Sequence, residues 1–178
     1  MSVLPVSPLL AQNQRVPELH NGDRLTRAEF ERRYARMPQV NKAELIEGIV
    51  YIPSPVRYRA HSLPHSWLNA WLAYYASKTP GLEGVGNNGT VRLDEDNEPQ
   101  PDLMLRLPEK AGGQSKVDPD DYVRGAPELV CEVAGSSVNI DLHANLNAYR
   151  RNGVKEYLVW RTEDEAIDLY FARGNMRR

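Results

Sequence analysis

Two acidic side chains interrupt segments that are otherwise apolar. Asp102 begins the segment DLMLRL directly after Pro101, and Glu132 lies inside the segment ELVCEVA. Burying a carboxylate is costly unless a cation or hydrogen-bond donors compensate it. Two carboxylates on adjacent strands would supply the hard oxygen ligands that suit Mg²⁺, and such an ion can orient a water and offset negative charge during phosphodiester hydrolysis. Taken alone, the pair is equally compatible with solvated acids at strand ends.

Three other reactive side chains favour simpler interpretations. His61 and His65 have the four-residue spacing of two metal ligands on one helix face. Because Pro64 lies between them and no glutamate follows His61, the zinc-protease pattern fails, and a groove beside the acidic pair is the alternative location for both rings. Alternation along a strand turns Cys131 away from Glu132, so we expect it to pack in the core rather than to act as a nucleophile.

The helices that must position these residues follow from the spacing of apolar side chains. Thr26 and Glu29 form a capping-box pattern that predicts a helix to about residue 37. A helix is predicted over 62–78, and another over 139–152 with Ser136 and Ser137 as its caps. The apolar side chains expected to face the core from these two helices are Leu68, Trp71, Leu72 and Tyr75 in the first, and Leu142, Leu146 and Tyr149 in the second.

The strand pattern predicts a mixed sheet between these helices. The run at 43–52 predicts two short strands or one bent strand with a bulge at Gly48. A small hairpin is predicted between 116 and 123. Further strands are predicted at 82–86, 89–93, 101–107, 128–134, 155–160 and 166–171. The order indicates an α/β (α+β) protein with helices around a central mixed sheet.

Composition limits the class of protein. The 178 residues fit one domain, and 41% hydrophobic with 26% charged residues is typical of a folded globular chain. Residues 1–22, interrupted by three prolines, are predicted to be a flexible N-terminal arm, followed by a single domain over 23–178. With one cysteine, no signal-peptide pattern and no apolar run of the roughly 20 residues needed to cross a bilayer, we expect a cytoplasmic protein that is not in a membrane.

The net charge of −2 leaves any nucleic-acid partner dependent on local basic patches. Arginines cluster in the first helix region and at the end of the third helix. They could contact phosphates, but basic residues on solvated helix faces more commonly promote solubility. The residues concerned are Arg24, Arg27, Arg32, Arg33, Arg36, Arg150 and Arg151.

Five segments together resemble, in the expected order, the Uma-type restriction-endonuclease family, a group within the PD-(D/E)xK nuclease superfamily. The resemblance covers residues 22–172 and rests on LTRAEFERRYARMP, KAELIEGIVYIPSPVRY, TVRLDEDNEPQPDLMLR, YVRGAPELVCEVAGSS and DLHANLNAYRRNGVKEYLVWR. It implies a restriction-endonuclease-like fold with a divalent ion at the strand ends. By the same resemblance Asp102 and Glu132 are the metal-binding acids and Glu44 completes the acidic cluster, with Glu47 as its nearby rival.

The motif lysine of the superfamily is the point of departure. Two residues after Glu132 the chain has Ala134, and in the Uma-type group the lysine lies on the following helix, in a segment similar to Asp-Leu-His-Asp-Lys-Leu. Here that segment is Asp141-Leu142-His143-Ala144-Asn145-Leu146, so Asn145 occupies the lysine position. A neutral amide orients water and stabilises charge less well than an ammonium, although Asn145 could still hydrogen-bond a water or a phosphate. The alternative is an ordinary asparagine on the helix surface. We expect reduced or absent activity unless Lys42, Arg150 or Lys155 reaches the site.

Two functions from different classes follow from the resemblance. The first is an Mg²⁺-dependent DNA endonuclease, with Mn²⁺ as an alternative ion, acting through Asp102, Glu132, Glu44 and Asn145. The second is a catalytically inactive relative that keeps the fold as a DNA-binding or protein-interaction module. A homodimer is expected by resemblance, since many nucleases of this fold present two sites to two strands. The chain also ends earlier than expected for the family, so a last strand or helix is expected to be missing.

Overall fold

A five-stranded mixed sheet forms the centre of the computed structural model, which describes residues 16–172. Its strand order is β10-β9-β8-β5-β3. The strands span Val85–Asn87 (β3), Leu103–Leu105 (β5), Leu129–Ala134 (β8), Glu156–Arg161 (β9) and Ala166–Phe171 (β10). The β8–β9 pair is parallel and the other three pairs are antiparallel. The predicted α/β class with a central mixed sheet flanked by helices is confirmed.

Helices cover both faces of this sheet. On one face lies α2, Leu63–Lys78, which a π-helical turn at Tyr58–Ser62 precedes. On the other face, the crossover from β8 to β9 contains α3 (Val138–Ile140), a second π-helical turn (Asp141–Asn145) and α4 (Leu146–Asn152). Because both faces of β8 are covered, its side chains are buried or half-buried throughout, as is typical of strands with a parallel neighbour.

Alternation along β8 separates two core clusters. Cys131 and Val133 point to the α2 side, where they pack with Leu68 and Leu72. Val130 and Ala134 belong to the opposite cluster, in which Tyr149 of α4 is buried. The core position predicted for Cys131 is therefore confirmed, and Glu132 shares the α4 side of the sheet.

The predicted core face of α2 is half wrong. Leu68 and Leu72 are buried as expected, but Trp71 and Tyr75 remain 59% and 51% exposed. Apolar residues occur all round this helix, so their three- and four-residue spacing alone could not identify the side that contacts the sheet.

A smaller layer forms the N-terminal side of the domain. It contains α1 (Arg27–Tyr34) and a hairpin of β1 (Glu44–Ile46) and β2 (Ile49–Tyr51), packed around Phe30. Gly48 adopts φ +71° in the turn, so the chain makes two short strands rather than one bent strand. The predicted arm of 1–22 lies outside the described residues up to position 15, and Leu19 beyond it is buried in this layer.

Thr26 and Ser137 occupy the predicted N-cap positions, but neither side chain makes the expected capping hydrogen bond. The Thr26 side chain makes no capping hydrogen bond, and Glu29 instead accepts hydrogen bonds from Arg32 and Arg33. Ser137 occupies the N-cap position of α3, but its hydroxyl donates to the Asp141 carboxylate at 2.6 Å. Charged partners within one turn compete for the side chains that would otherwise cap the helix.

A three-stranded sheet with the order β4-β7-β6 completes the fold. Its strands are Val91–Arg92 (β4), Lys116–Val117 (β6) and Val123–Arg124 (β7), and the antiparallel β6–β7 pair confirms the predicted hairpin. Arg92 forms ion pairs on this sheet with four carboxylates. We call this set the Arg92 cluster; the partners are Glu31, Glu98, Asp118 and Asp120.

Within residues 16–172, no helix has the length and apolar character needed to cross a membrane.

Candidate active site

Asp102 and Glu132 face each other across the β5–β8 strand pair. The antiparallel register pairs Leu103 with Cys131, which places Asp102 opposite Glu132. The Asp102 backbone N–H donates to Glu132 Oε2 at 3.1 Å. Because an aspartate carboxylate lies within about 4.5 Å of its own amide nitrogen, the two carboxylates are less than about 8 Å apart. Both carboxylates line the same pocket.

Asp102 is held in place from two sides. Its Oδ2 accepts a hydrogen bond from the Val133 backbone N–H at 2.8 Å and lies 3.1 Å from His61 Nε2. His65 Nε2 lies 3.2 Å from the Asp102 carbonyl oxygen, and the two imidazole rings stack 5.8 Å apart. Burial raises the pKa of Asp102, but the contact with His61 outweighs it and the net pKa is lowered. Both histidines therefore lie beside the acidic pair, as the groove interpretation expected.

Glu132 is buried and lacks a cationic hydrogen-bond partner. Its Oε1 accepts a hydrogen bond from the Tyr149 hydroxyl at 3.0 Å. Burial, followed by the negative charges of Asp102 and Asp141, raises the pKa of Glu132 well above its ordinary value. A positive charge close to Glu132 would offset the cost of burial and the repulsion from Asp102 and Asp141, and so would lower the pKa of Glu132.

Glu44 enters the site from β1, together with Lys42 just before that strand. Glu44 Oε1 accepts the Gln100 backbone N–H at 2.7 Å and lies 3.9 Å from Lys42 Nζ. Burial raises the pKa of Glu44. Glu47, the rival residue, points away and forms an ion pair with Arg151 at 2.8 Å.

Of the three candidate cations, Lys42 is the one that lines the pocket of the acids. Burial acts to lower its pKa, but the surrounding carboxylates of Glu44, Glu132, Asp102 and Asp141 raise the net pKa above the ordinary value. The two other candidate cations are elsewhere: Lys155 pairs with Glu128, and Arg150 approaches Asn147. The sequence alone could not show which of Lys42, Arg150 and Lys155 reaches the acids, because only the folded chain brings the segment before β1 close to β5 and β8.

Asp141 and Asn145 approach from the π-helical turn between α3 and α4. Asn145 Nδ2 donates to Asp141 Oδ1 at 2.9 Å, and both side chains are buried. Asn145 Oδ1 is buried and has no hydrogen-bond partner within residues 16–172. Burial raises the pKa of Asp141, which carries no assigned role in the sequence-based hypothesis. The signal for Asp141 was its four-residue spacing from Asn145, which places both on one side of a helical turn.

Both π-helical turns border the same pocket, which has a volume of about 1130 Å³. Such turns are rare and occur often at functional sites, because the extra residue redirects neighbouring side chains. One carries His61 and the other Asp141 and Asn145. We call the set of pocket-lining acids with their polar neighbours the acidic site; its members are Lys42, Glu44, Asp102, Glu132, Asp141 and Asn145.

Several of the arginines considered as possible phosphate contacts are paired with acids. Arg27 contacts Glu95, and Arg32 and Arg33 both contact Glu29. By contrast, Arg57 lines the pocket of the acidic site. Arg57 belongs to no motif or apolar pattern in the sequence, and only the fold shows that it lies beside the acids, directly before the π-helical turn at Tyr58–Ser62.

The donor set fits a partly hydrated Mg²⁺ better than an ion enclosed by protein ligands. Among residues 16–172, no three His, Cys, Asp or Glu side chains are grouped so that they could hold an ion by themselves. Mg²⁺ is commonly bound through one or two carboxylates and keeps several waters. Asp102 and Glu132 meet that requirement, and the unpartnered Asn145 Oδ1 could accept a hydrogen bond from a coordinated water.

A central mixed sheet flanked by helices, with paired acids on neighbouring strands, defines a restriction-endonuclease-like α/β protein. A solved structure with this fold is "a putative nuclease belonging to DUF820 from Anabaena variabilis ATCC 29413". The two align with a TM-score of 0.61 and 13% sequence identity, over 81% of this chain and 80% of that one. At this identity the likeness shows the fold alone.

The family follows from the sequence match. The Uma2 family, described as "Putative restriction endonuclease", matches residues 27–177. The chain therefore belongs to this family, and the resemblance on which the sequence analysis relied is confirmed. Among curated proteins, none matches the chain.

Proposed function

We propose that this protein is a metal-dependent DNA endonuclease, with Mg²⁺ or Mn²⁺ as its ion, or a descendant of one with impaired activity. The observation that supports this proposal most directly is the acidic site itself. Four carboxylates, those of Glu44, Asp102, Glu132 and Asp141, surround one pocket, and burial raises the pKa of three of them. A fold retains such unbalanced charge at a cost, which a functional cation would offset.

Asp102 and Glu132 are the proposed metal ligands. A divalent ion held by these two carboxylates would supply Lewis-acid chemistry for phosphodiester hydrolysis. His61 and Val133 fix the Asp102 carboxylate, and Tyr149 fixes that of Glu132, so neither side chain needs to reorganise when it binds a cation. In this proposal Glu44 sets the position of Lys42.

Lys42 is proposed to supply the positive charge that the motif lysine supplies in the superfamily. Lys42 and Asn145 both line the pocket of the acidic site. Asn145 already donates to Asp141, so in this proposal its free Oδ1 contacts a water rather than the phosphate. An oxygen acceptor repels a phosphate, which is the physical reason to expect impaired activity.

The second candidate is an inactive relative that binds DNA or another protein. It is favoured by the arrangement at position 145, where the amide is tied to Asp141 and carries no charge. DNA is proposed as the substrate because the family is described as a restriction endonuclease. We further propose that the protein is cytoplasmic, that it forms a homodimer and that residues 23–178 form one domain.

A plasmid-nicking assay with Mg²⁺ or Mn²⁺ tests the two candidates. We expect metal-dependent nicking by the wild type and a loss of at least about 100-fold in Asp102→Ala, since removing a metal contact costs this much or more. Asp164→Ala, an exposed aspartate outside the site, is the matched control and should keep the wild-type rate. An inactive wild type with an active Asn145→Lys variant would establish the degenerate site, and inactivity of both would end the nuclease proposal.

The role of Lys42 is tested in the same assay. Lys42→Met should reduce the nicking rate at least tenfold, and Lys42→Arg should restore part of it because the charge returns with a different shape. Lys155→Met is the control, because Lys155 is half-exposed and paired with Glu128. Equal rates for Lys42→Met and wild type would remove Lys42 from the mechanism.

A further inference from the structure

Helix α2 exposes four large aromatic side chains to solvent. Trp67 is 61% exposed, Trp71 59%, Tyr74 67% and Tyr75 51%. At 100° per residue these side chains fall within an arc of about 100° on the helix. We call this surface the α2 aromatic face. It lies beside the buried side of α2, where Leu68 and Leu72 contact the sheet.

The exposed aromatic area of α2 is large enough to form the centre of a protein interface. Large aromatic side chains present about 150–250 Å² each, so these exposures leave on the order of 400–500 Å² of aromatic surface. The largest apolar patch on an ordinary monomer is about 300–600 Å² and is often functional. A standard protein interface buries roughly 800 Å² on each partner. The α2 aromatic face would supply more than half of that area from a single helix.

The charge of α2 argues against DNA or a lipid surface as its occupant. The helix, LPHSWLNAWLAYYASK, contains no arginine, and its lysine, Lys78, lies over the ring of Tyr74. Phosphate-binding and membrane-surface helices depend on several lysines or arginines. The helix also contains no acidic residue, so two copies could approach each other without strong repulsion.

The pattern of aromatic residues is self-complementary. Trp71 lies at the middle of the 16-residue helix, with Trp67 one turn before it and Tyr74 and Tyr75 one turn after it. A two-fold axis through Trp71 would place Trp67 of each copy against Tyr74 and Tyr75 of the other in antiparallel helices. A two-fold interface requires one patch that matches itself in this way. From this arrangement we infer that the α2 aromatic face binds a second copy of this chain.

This inference rests on the homodimer in the proposed function and names its surface. A second exposed apolar surface is the competitor: on the edge strand β10, Ile167, Leu169 and Phe171 are 59%, 47% and 64% exposed. Tryptophan and tyrosine are enriched among the residues that contribute most to interfaces, whereas leucine is under-represented there, and the β10 surface contains two aliphatic side chains and one phenylalanine. The β10 surface therefore provides a matched control.

Sedimentation equilibrium of the full chain between about 1 and 100 μM tests the inference. We expect wild type to sediment at twice the chain mass, Trp71→Glu at the chain mass, and Leu169→Glu like wild type. Circular dichroism checks that each variant is folded. If Trp71→Glu does not fold, Tyr74→Glu, at the most exposed of the four positions, takes its place with the same expected mass.

Each contrary result has a distinct meaning. A wild type that is monomeric at every concentration overturns both the homodimer and its surface. A dimer that persists in Trp71→Glu, or that only Leu169→Glu dissociates, keeps the homodimer and overturns the α2 surface. A Trp71→Glu variant that loses DNA binding but keeps the wild-type mass assigns the surface to nucleic acid and also overturns the inference. Nicking activity is measured separately, so failure of the nuclease proposal would not affect these outcomes.

Discussion

The Arg92 cluster and the acidic site contain similar numbers of carboxylates but balance them differently. In the Arg92 cluster, one guanidinium lies 2.7–3.9 Å from the carboxylates of Glu31, Glu98, Asp118 and Asp120. In the acidic site, four carboxylates share a pocket in which Lys42 approaches Glu44 at 3.9 Å. Tyr122 also stacks on Arg92, with the ring centroid 4.4 Å from the guanidinium carbon.

The Arg92 cluster therefore contributes to the stability of the fold, whereas the acidic site is suited to binding a ligand. The Arg92 guanidinium hydrogen-bonds directly to Asp118 and Asp120 and joins α1 to the small sheet through Glu31, so it can stabilise the fold without any ligand. In the acidic site, Lys42 lies 3.9 Å from Glu44, and burial raises the pKa of three carboxyl groups, so this site costs stability until a positive ion or a proton arrives. Counting acids in the sequence would treat the two regions as equivalent.

The largest effect is expected from removing the cation of the Arg92 cluster. Arg92→Met should lower the free energy of unfolding by about 2–3 kcal/mol, because it leaves the half-buried carboxylates of Glu31 and Asp118 without the guanidinium that lies 2.9 and 2.7 Å from them. Urea unfolding monitored by circular dichroism measures this change. Arg151→Met, which breaks an exposed ion pair with Glu47, should cost less than about 0.5 kcal/mol. Equal costs for both variants would make the Arg92 cluster an ordinary surface network.

A change of opposite sign is expected in the acidic site. Glu132→Gln removes a buried charge, while its amide can still accept from Asp102 N–H and donate to the Tyr149 hydroxyl. We expect the variant to be about 1–2 kcal/mol more stable than wild type in EDTA. Excess Mg²⁺ should stabilise only the wild type and close this gap. A destabilised Glu132→Gln protein in EDTA would mean that this carboxylate serves the fold rather than a ligand.

A further prediction concerns the pH dependence of the Arg92 cluster. Burial, followed by contact with Glu31, raises the pKa of Glu98 to about 8. The folded state therefore binds the Glu98 proton more tightly than the unfolded state does. The stability gained from this proton is fully present below the unfolded pKa of Glu98 and is lost as the pH rises through 8. Unfolding free energy should fall more steeply between pH 5 and 8 in wild type than in Glu98→Gln. Parallel curves would show that Glu98 does not titrate in that window.

Much of the fold could be predicted from the sequence because local patterns specify it. Alternation in ELVCEVA separated Cys131 from Glu132, whereas the pairing of Asp102 with Glu132 across β5 and β8 came from the folded chain. The core face of α2 could not be predicted, because aromatic and aliphatic residues surround the helix and burial depends on the sheet it meets. The capping box at Thr26 failed because Glu29 found arginine partners one turn away.

The site was less predictable than the strands that carry it. Lys42 lies 60 residues from Asp102 in sequence, and only the packing of the β1–β2 hairpin against the pocket distinguishes it from Arg150 and Lys155. Asp141 was visible as a neighbour of Asn145, but the π-helical turn that directs both into the pocket has no sequence pattern of its own. The roles of Asp102, Glu132, Glu44 and Asn145 in catalysis remain predictions.

Binding of Mn²⁺, measured as the loss of the free-ion paramagnetic resonance signal, tests the proposed contrast between the two regions most directly. We expect wild type and Glu98→Gln to bind the ion equally, and Asp102→Asn and Glu132→Gln to bind it at least tenfold more weakly. This result would assign the cation to the acidic site whether or not the protein cleaves DNA. Wild-type affinity in both site variants, or loss of binding in Glu98→Gln, would contradict the assignment.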